Sequence, residues 1–175
     1  MPQQQGAYFG SGAPSTEILT SLPYPGLLGM VCEVNEATVL GAAPKWVKYR
    51  LVKLAAGQTA LKGQVVIWSD KTAFTVAVTA TKTSRGQVCG VVPLAVATAG
   101  AYFWMIVKGR KRCLIEGSPT SASSAVGKPV IPGSTTDGSV DVLALSTAPK
   151  VRLIGACFST TDGDGLIDVD INLEP

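Results

Sequence analysis

Histidine is absent from this 175-residue chain. The commonest general base and the commonest metal ligand are therefore missing, and neither a Ser-His-Asp nor a Cys-His arrangement can be built from the chain alone. The common glycine-rich phosphate-binding patterns, G-x-x-x-x-G-K-[ST] and G-x-G-x-x-G, are absent as well. These absences predict a protein that is not an enzyme and that binds no cofactor and no small-molecule substrate.

Metal-binding spacings are also lacking. The four cysteines are far apart in the sequence, without a C-x-x-C pair, and they are Cys32, Cys89, Cys113 and Cys157. We interpret them as small buried apolar residues, because free cysteine is among the most buried residue types. The segment TDGDGLIDVD has two aspartates at calcium-loop spacing, but Thr160 and Ile171 occupy the positions that need carboxylates. The segment predicts a hairpin turn and no metal site.

Large side chains and charges are scarce. Aromatic residues make up 6% of the chain and charged residues 15%, whereas there are 19 Gly and 11 Pro. Such a composition favours short strands joined by many turns over helices. We predict an all-β fold, a compact antiparallel β-barrel or sandwich formed by residues 31–175, with an extended N-terminal arm over residues 1–30.

The longest uncharged run, Val88 to Val107, has the twenty residues that a membrane-spanning helix requires. Pro93 and Gly100 interrupt it, and a proline inside a helix removes a hydrogen bond. Two strands fit the run better, so we predict no membrane association. In the second strand Tyr102, Trp104 and Ile106 would share one face, with Phe103, Met105 and Val107 on the other.

Other segments carry the period of two that is typical of strands. Lys45 to Leu54 is predicted as a strand with a solvated basic face, although a helical alternative exists. Val31 to Val39 fits a strand or a turn of helix. Further strands are predicted over Gln64 to Trp68, Phe74 to Thr81 and Ser139 to Leu145, an edge segment over Ala125 to Pro132, and a closing hairpin over Val151 to Phe158 and Leu166 to Leu173, with Asp168, Asp170 and Asn172 on its polar face.

The first thirty residues have one charge, Glu17, and many apolar side chains. Pro14, Pro23 and Pro25 disfavour a long helix, and so apolar a segment needs a surface to cover it. We predict an extended arm that packs on a neighbouring surface. An ordinary edge strand and loop of the same domain fits equally well. The start of the sequence lacks the basic and apolar regions of a signal peptide, which indicates synthesis in a cytosol-like compartment.

Charge is unevenly distributed along the chain. Residues 45–112 carry twelve Lys or Arg against Asp70 alone, while residues 113–175 carry three basic and eight acidic residues. This asymmetry predicts internal neutralisation or contacts between copies. The run Lys108 to Arg112 fits solvated charges at a strand end, or contacts to an acidic protein surface. A nucleic-acid-binding module that uses this run with Lys45, Lys48, Arg50 and Lys53 is the alternative.

Three segments, KYRLVKLAAGQTALKGQVVIWSD, GQVCGVVPLAVATAGAYFWMIVKGR and PKVRLIGACFSTTDGDGLIDVDINL, carry a recognisable pattern of glycine, aromatic and β-branched positions. The matching positions are Gly90, Val91, Thr98, Ala99, Gly100, Tyr102, Trp104, Val107, Gly109, Ile154, Gly155, Asp164, Gly165, Ile167 and Val169. The pattern resembles the head decoration (capsid cement) proteins of tailed bacteriophages and covers about Lys48 to Leu173. Pro93 and the basic run depart from it.

The resemblance implies a virion structural protein, made in the host cytoplasm, that binds the outer surface of the capsid head and stabilises contacts between capsomers. The implied partners are the major capsid protein and neighbouring copies in a trimer, with no direct nucleic-acid contact. A tail-tube or head-completion component is a further alternative. The candidate contact residues are Tyr8, Phe9, Ile18, Leu19, Leu22, Tyr24, Arg110, Lys111 and Arg112.

Overall fold

The structure, a computed structural model, describes residues 14–36, 45–78, 88–116, 126–133, 135–142, 153–158 and 165–173. Its strands are β1 (Ile18–Leu19), β2 (Val31–Glu36), β3 (Lys45–Leu54), β4 (Val65–Asp70), β5 (Thr75–Val78), β6 (Val88–Val91), β7 (Tyr102–Leu114), β8 (Pro129–Pro132), β9 (Val140–Val142), β10 (Gly155–Cys157) and β11 (Leu166–Asn172). Within these ranges the helical elements are two 3-10 turns, Pro14–Thr16 and Pro25–Leu27. The predicted all-β fold is confirmed.

A closed barrel lies at the centre of the sheet. The strands follow one another in the order β2-β3-β5-β4-β6-β7-β11-β10-β8-β9, and an additional pairing between β3 and β7 joins two strands that are not neighbours in this order. The closed ring therefore consists of β3, β5, β4, β6 and β7. The pairings around the ring are antiparallel except that of β3 with β5, which is parallel, so the predicted antiparallel barrel contains one parallel pair.

Two apolar cores lie on opposite sides of the barrel wall. The inner core contains residues from every strand of the ring, among them Val52, Leu54, Val66, Val76, Cys89, Phe103 and Met105. The outer core lies between the outer side of the barrel and the strands β8 to β11, and it includes Tyr49, Leu51, Trp104, Ile106, Val130, Ile154, Val169 and Ile171. β3 and β7 contribute buried apolar residues to both cores, one core on each face of the strand.

The uncharged run forms two strands, β6 and the first half of β7, as predicted. Trp104 and Ile106 lie in the outer core, while Phe103 and Met105 lie in the inner one, so the predicted faces are confirmed. The aromatic and β-branched side chains fit this two-sided burial because a pleated strand sends alternate residues to opposite faces. Among the described residues, no helix is long and apolar enough to cross a membrane.

A register shift divides β7 into two halves. Tyr49 pairs with Ile106, but the preceding residue Lys48 pairs with Lys108, so Val107 is an extra residue. Such a bulge moves every following side chain to the opposite face. Gly109 follows the bulge with φ 110°, a conformation that a side chain would strain.

Several sequence predictions need correction. Phe74 does not begin a strand: it has φ 48° and ends the turn before β5. The segment around β8 is not an edge, because β8 pairs with both β10 and β9. The closing hairpin is confirmed by the pairing of β10 with β11, and Asp168 shares a face with Asp170 and Asn172 as predicted, although Asp168 is buried. Residues 79–81, 125, 143–145, 151–152 and 159–164 of these predictions lie outside the described ranges.

Residues 14–30 lie on the barrel of their own chain. β1 pairs with β7, and the indole N–H of Trp104 donates to Glu17 Oε2 at 3.2 Å. Leu19, Leu22 and Leu27 pack against the outer core. The segment before β2 then joins β3, because the amide of Leu51 donates to the carbonyl of Met30. Residues 1–13 lie outside the described ranges.

The cysteines are largely as predicted. Cys89, Cys113 and Cys157 are buried, Cys32 is half-buried, and all four are free thiols. Burial, with smaller contributions from Asp168 and Cys157, raises the pKa of the Cys113 thiol far above its ordinary value. The uncharged thiol therefore acts as a small apolar side chain of the outer core.

Candidate functional site

Charged side chains line one face of the sheet formed by β2, β3, β7 and β11. Residues that stand opposite each other in a sheet project to the same side. Glu33, Lys48, Lys108 and Asn172 form one such row across the four strands. The row places two lysines that are sixty positions apart in the sequence next to each other.

Two further rows extend this surface. Arg110 stands opposite Asp170, and Arg112 stands opposite Asp168. On β3, Arg50 projects to the same side as Lys48 because the two are two residues apart. We name this surface the charged face, and it consists of Glu33, Lys48, Arg50, Lys108, Arg110, Arg112, Asp168 and Asp170. Its five cations exceed its three carboxylates.

The bulge at Val107 creates this arrangement. In an unbroken alternation Lys108 and Arg110 would follow Trp104 and Ile106 to the outer core, where they would have to be desolvated. With the extra residue they follow Met105 instead, and Cys113 takes the place in the outer core. The charged face therefore continues the inner side of the barrel wall beyond the ring.

The best-buried charges on this face are Arg110 and Asp168. Their side chains are 9% and 5% exposed, with Arg110 Nη2 at 3.6 Å from Asp168 Oδ2. The ring of Phe158 covers the guanidinium, whose Cζ lies 3.7 Å from the ring centroid. The amide of Phe158 also donates to the carbonyl oxygen of Asp168 at 2.7 Å. These contacts fix Arg110 in place, which corrects its interpretation as a solvated charge at a strand end.

Lys48 illustrates the other extreme. Its Nζ lies 3.0 Å from Glu33 Oε1, and the two side chains are 23% and 48% exposed. A pair with this much solvent contact contributes less than about 1 kcal/mol to stability. The predicted solvated basic face of β3 is thus only partly correct, since Lys48 and Arg50 are both half-buried.

Arg50 differs from both. Its side chain lies between Val31 on β2 and Met105 on β7, at the end of the barrel interior. It is half-buried, and its Nε is buried with no hydrogen-bond acceptor among the described residues. Arg50 has no ion pair with a carboxylate of the described residues either, whereas Lys48 and Arg110 each have one.

Apolar side chains lie at the borders of the charged face. Trp46 is 53% exposed and stands on the same side of β3 as Lys48, opposite Asn35. Val31 on β2 and Phe158 beyond β10 are 42% and 45% exposed. An exposed tryptophan beside cations is typical of surfaces that bind partners, because the ring buries a large area at little entropic cost.

The other predicted contact residues are scattered. Tyr24 and Ile18 are exposed on the N-terminal segment, whereas Leu19 and Leu22 are half-buried against the outer core. Lys111 projects to the opposite face from Arg110 and Arg112. Tyr8 and Phe9 lie outside the described ranges.

The basic residues of the predicted nucleic-acid module lie on both faces of the sheet. Lys48, Arg50 and the three cations of β7 share the charged face. Lys53 is on the other side, with its Nζ 5.7 Å from the centroid of the Tyr102 ring. The side chain of Lys45 is not described.

Sequence reasoning missed Asp168, Phe158 and Trp46 as members of this surface. One signal was present: basic residues alternate at 108, 110 and 112, and acidic residues alternate at 168 and 170. Two strands with complementary alternation are expected to pair with their charges on one face. Phe158 is placed beside Arg110 by its backbone hydrogen bond to Asp168, which its own segment does not indicate.

Within the described ranges, no group of three or more Cys, Asp or Glu side chains could hold a metal ion. A search of protein-family models, a search of curated proteins and a search of solved structures each found no match to this chain. The arrangement of the charged face suits the binding of a charged partner surface, because cations on the two central strands, β3 and β7, are flanked by carboxylates on β2 and β11.

Proposed function

We propose that this chain is a virion structural protein, a decoration protein that binds the outer surface of a tailed-bacteriophage head and stabilises contacts between capsomers. The observation that carries the proposal is the place of the residues that resemble that family. Tyr102, Trp104 and Val107 lie on β7, the strand that closes the barrel, and Ile167 and Val169 lie on β11 beside it.

The glycine at the start of β10 supports the same interpretation. A Cβ atom on Gly155 would collide with the backbone of Asp170 on β11, so only glycine permits this strand pairing. The resemblance thus concerns residues that build the scaffold. A stiff barrel with two cores is what a protein needs if its only function is to hold neighbouring subunits.

The charged face is the surface through which attachment would occur. It combines cations, carboxylates and exposed apolar side chains, and such mixed surfaces set the orientation of a bound partner. Many weak attachments across a capsid would add up, since the subunits are held in a lattice. In this proposal the partners are the major capsid protein and further copies of this chain, which form a trimer.

Counting the copies in purified particles tests the proposal. Copies on the order of hundreds per particle are expected for a decoration protein, whereas about a dozen would indicate a ring at the portal or tail. Absence from particles would refute the virion assignment.

Charge reversal at the exposed residue Lys108 tests the surface. The variant Lys108→Glu should lower occupancy on heads, because it replaces a cation of the charged face by an anion, which would repel any partner carboxylate that the lysine attracts. The matched control is Lys71→Glu, which makes the same change in the exposed turn between β4 and β5. Equal occupancy of both variants would show that the charged face is not the site of attachment.

Nucleic-acid binding is the second candidate, because five cations from β3 and β7 share one face. Retention on heparin, with an affinity that falls steeply with salt, would favour it. The carboxylates Glu33, Asp168 and Asp170 on the same face oppose it, since they repel phosphates.

A further inference from the structure

Arg50 is the cation on the charged face whose guanidinium is neither paired nor fully solvated. Its Nε is buried without an acceptor, as is the Nε of Arg110, but Arg110 has the Asp168 carboxylate at 3.6 Å, whereas no carboxylate among the described residues contacts Arg50. Burial of a guanidinium donor without an acceptor is costly, and folded proteins rarely retain one without a use for it. The unsatisfied donor suggests a site that is completed by a partner.

The surroundings of Arg50 define what would bind there. Lys48 lies two residues away on the same face, and Lys108 is the cross-strand neighbour of Lys48. Met105, the cross-strand neighbour of Arg50, is fully buried, so the local dielectric is low and a charged hydrogen bond is strengthened there. A carboxylate fits this setting, since the planar guanidinium fork binds its two oxygens together.

We infer that Arg50 is the anchor of the charged face and binds a carboxylate from an acidic segment of the partner protein. Trp46 on β3 and Val31 on β2 are both exposed on the same side of the sheet as Arg50, and they pack on the apolar parts of that segment. The identity of the partner as a capsid protein rests on the proposed function. The carboxylate site itself rests only on the geometry of β2, β3 and β7.

A protein carboxylate is favoured over a nucleic-acid phosphate for two reasons. Arg50 is recessed between β2 and β7, so a flexible acidic side chain reaches it more readily than a polynucleotide backbone. The carboxylates of Glu33 and Asp170 also lie on this face, and they would repel a chain of closely spaced phosphates while tolerating a segment with fewer charges.

The test is a titration of the full chain with a fluorescein-labelled peptide of alternating glutamate and serine, followed by anisotropy. Arg50→Gln should weaken binding about tenfold, the effect of one charge-assisted hydrogen-bonded pair. Lys53→Gln is the matched control: it removes the same charge from the same strand on the opposite face and should change the affinity less than about twofold. Arg50→Lys should restore only part of the affinity, because it keeps the charge without the fork.

Three results would overturn the inference: no binding of the peptide, equal losses in Arg50→Gln and Lys53→Gln, or tighter binding of single-stranded oligothymidylate of equal charge. The last result would assign the face to nucleic acid. Because the titration uses no phage particles, it can fail while occupancy on heads is observed, and it can succeed where occupancy is absent.

Thermal unfolding of the free protein supplies a second readout. Arg50→Met removes the unsatisfied donor and keeps the apolar stem, so the melting temperature should stay the same or rise while peptide binding is lost. A purely structural role for Arg50 predicts the opposite, a lower melting temperature with peptide binding retained, and that result would overturn the inference.

Discussion

The two halves of β7 use the same backbone for different purposes. Before the bulge, the strand is apolar on both faces and joins the two cores through Phe103 and Trp104. After it, one face holds Lys108, Arg110 and Arg112, while Cys113 continues in the outer core. One extra residue, Val107, thus separates a strand that closes a barrel from a strand that displays charge.

The two halves of β7 are stabilised by different interactions. Apolar side chains of the first half gain free energy by leaving water, so their contribution grows with the area that they bury. The charges of the second half gain little unless they are paired, and burial of an unpaired charge is costly. The first half should therefore be sensitive to lost volume, and the second half to lost partners.

The largest expected effect is in the first half. Phe103→Ala removes a fully buried ring from the inner core and should cost about 4 kcal/mol in the free energy of unfolding. Urea denaturation measures this loss. The control is Lys108→Ala, an exposed position on the same strand, which should change stability by less than about 0.5 kcal/mol. Similar losses in both variants would contradict the division of β7 into an apolar and a charged half.

The second effect concerns the buried pair of the other half. Asp168→Ala leaves the guanidinium of Arg110 buried without its closest carboxylate and should cost about 3 kcal/mol. Asp170 stands opposite Arg110 and limits the loss to the lower part of the usual range. The double variant Arg110→Met with Asp168→Leu should regain most of the stability, because it removes both buried charges together.

A double-mutant cycle in urea denaturation measures the coupling between Arg110 and Asp168. Arg112→Met with Asp170→Leu is the matched control on the less buried part of the same two strands, where much smaller changes are expected. A loss below about 1 kcal/mol for Asp168→Ala would indicate that water screens the pair and that its burial is unimportant.

The sequence was informative where local patterns determine structure. The alternation of Tyr102 to Val107 predicted the two faces of the first half correctly, because the period of two belongs to any pleated strand. The Asp-Gly turn likewise predicted the closing hairpin. These features depend on neighbours in the chain, so a single sequence contains them.

The charged face could not be predicted in the same way, because it is formed by contacts between segments that are far apart in the sequence. The bulge at Val107 has no local marker except the glycine that follows it, so the alternation before it does not indicate which side chains of the basic run share a face. The burial of Asp168 was not predicted, because its partner Arg110 is far away in the sequence. The pairing of β3 with β7, which closes the barrel, is likewise a long-range contact that neither strand indicates on its own.

The smallest expected effect concerns the thiol that the bulge places in the outer core. Burial, with smaller contributions from Asp168 and Cys157, keeps the pKa of Cys113 well above its unfolded value, so the folded chain retains the proton as the pH rises. The unfolded chain releases it near its ordinary pKa of about 8.5, and stability should therefore fall above that pH. The variant Cys113→Ala has no thiol at this position, so this contribution to the pH dependence of its stability is absent. Between about pH 8.5 and about pH 9.5, the wild type should lose about 1 kcal/mol more than the variant in urea denaturation. Parallel pH curves for the two proteins would mean that the thiol ionises as readily in the folded chain as in the unfolded one, and would contradict its place in a dry core.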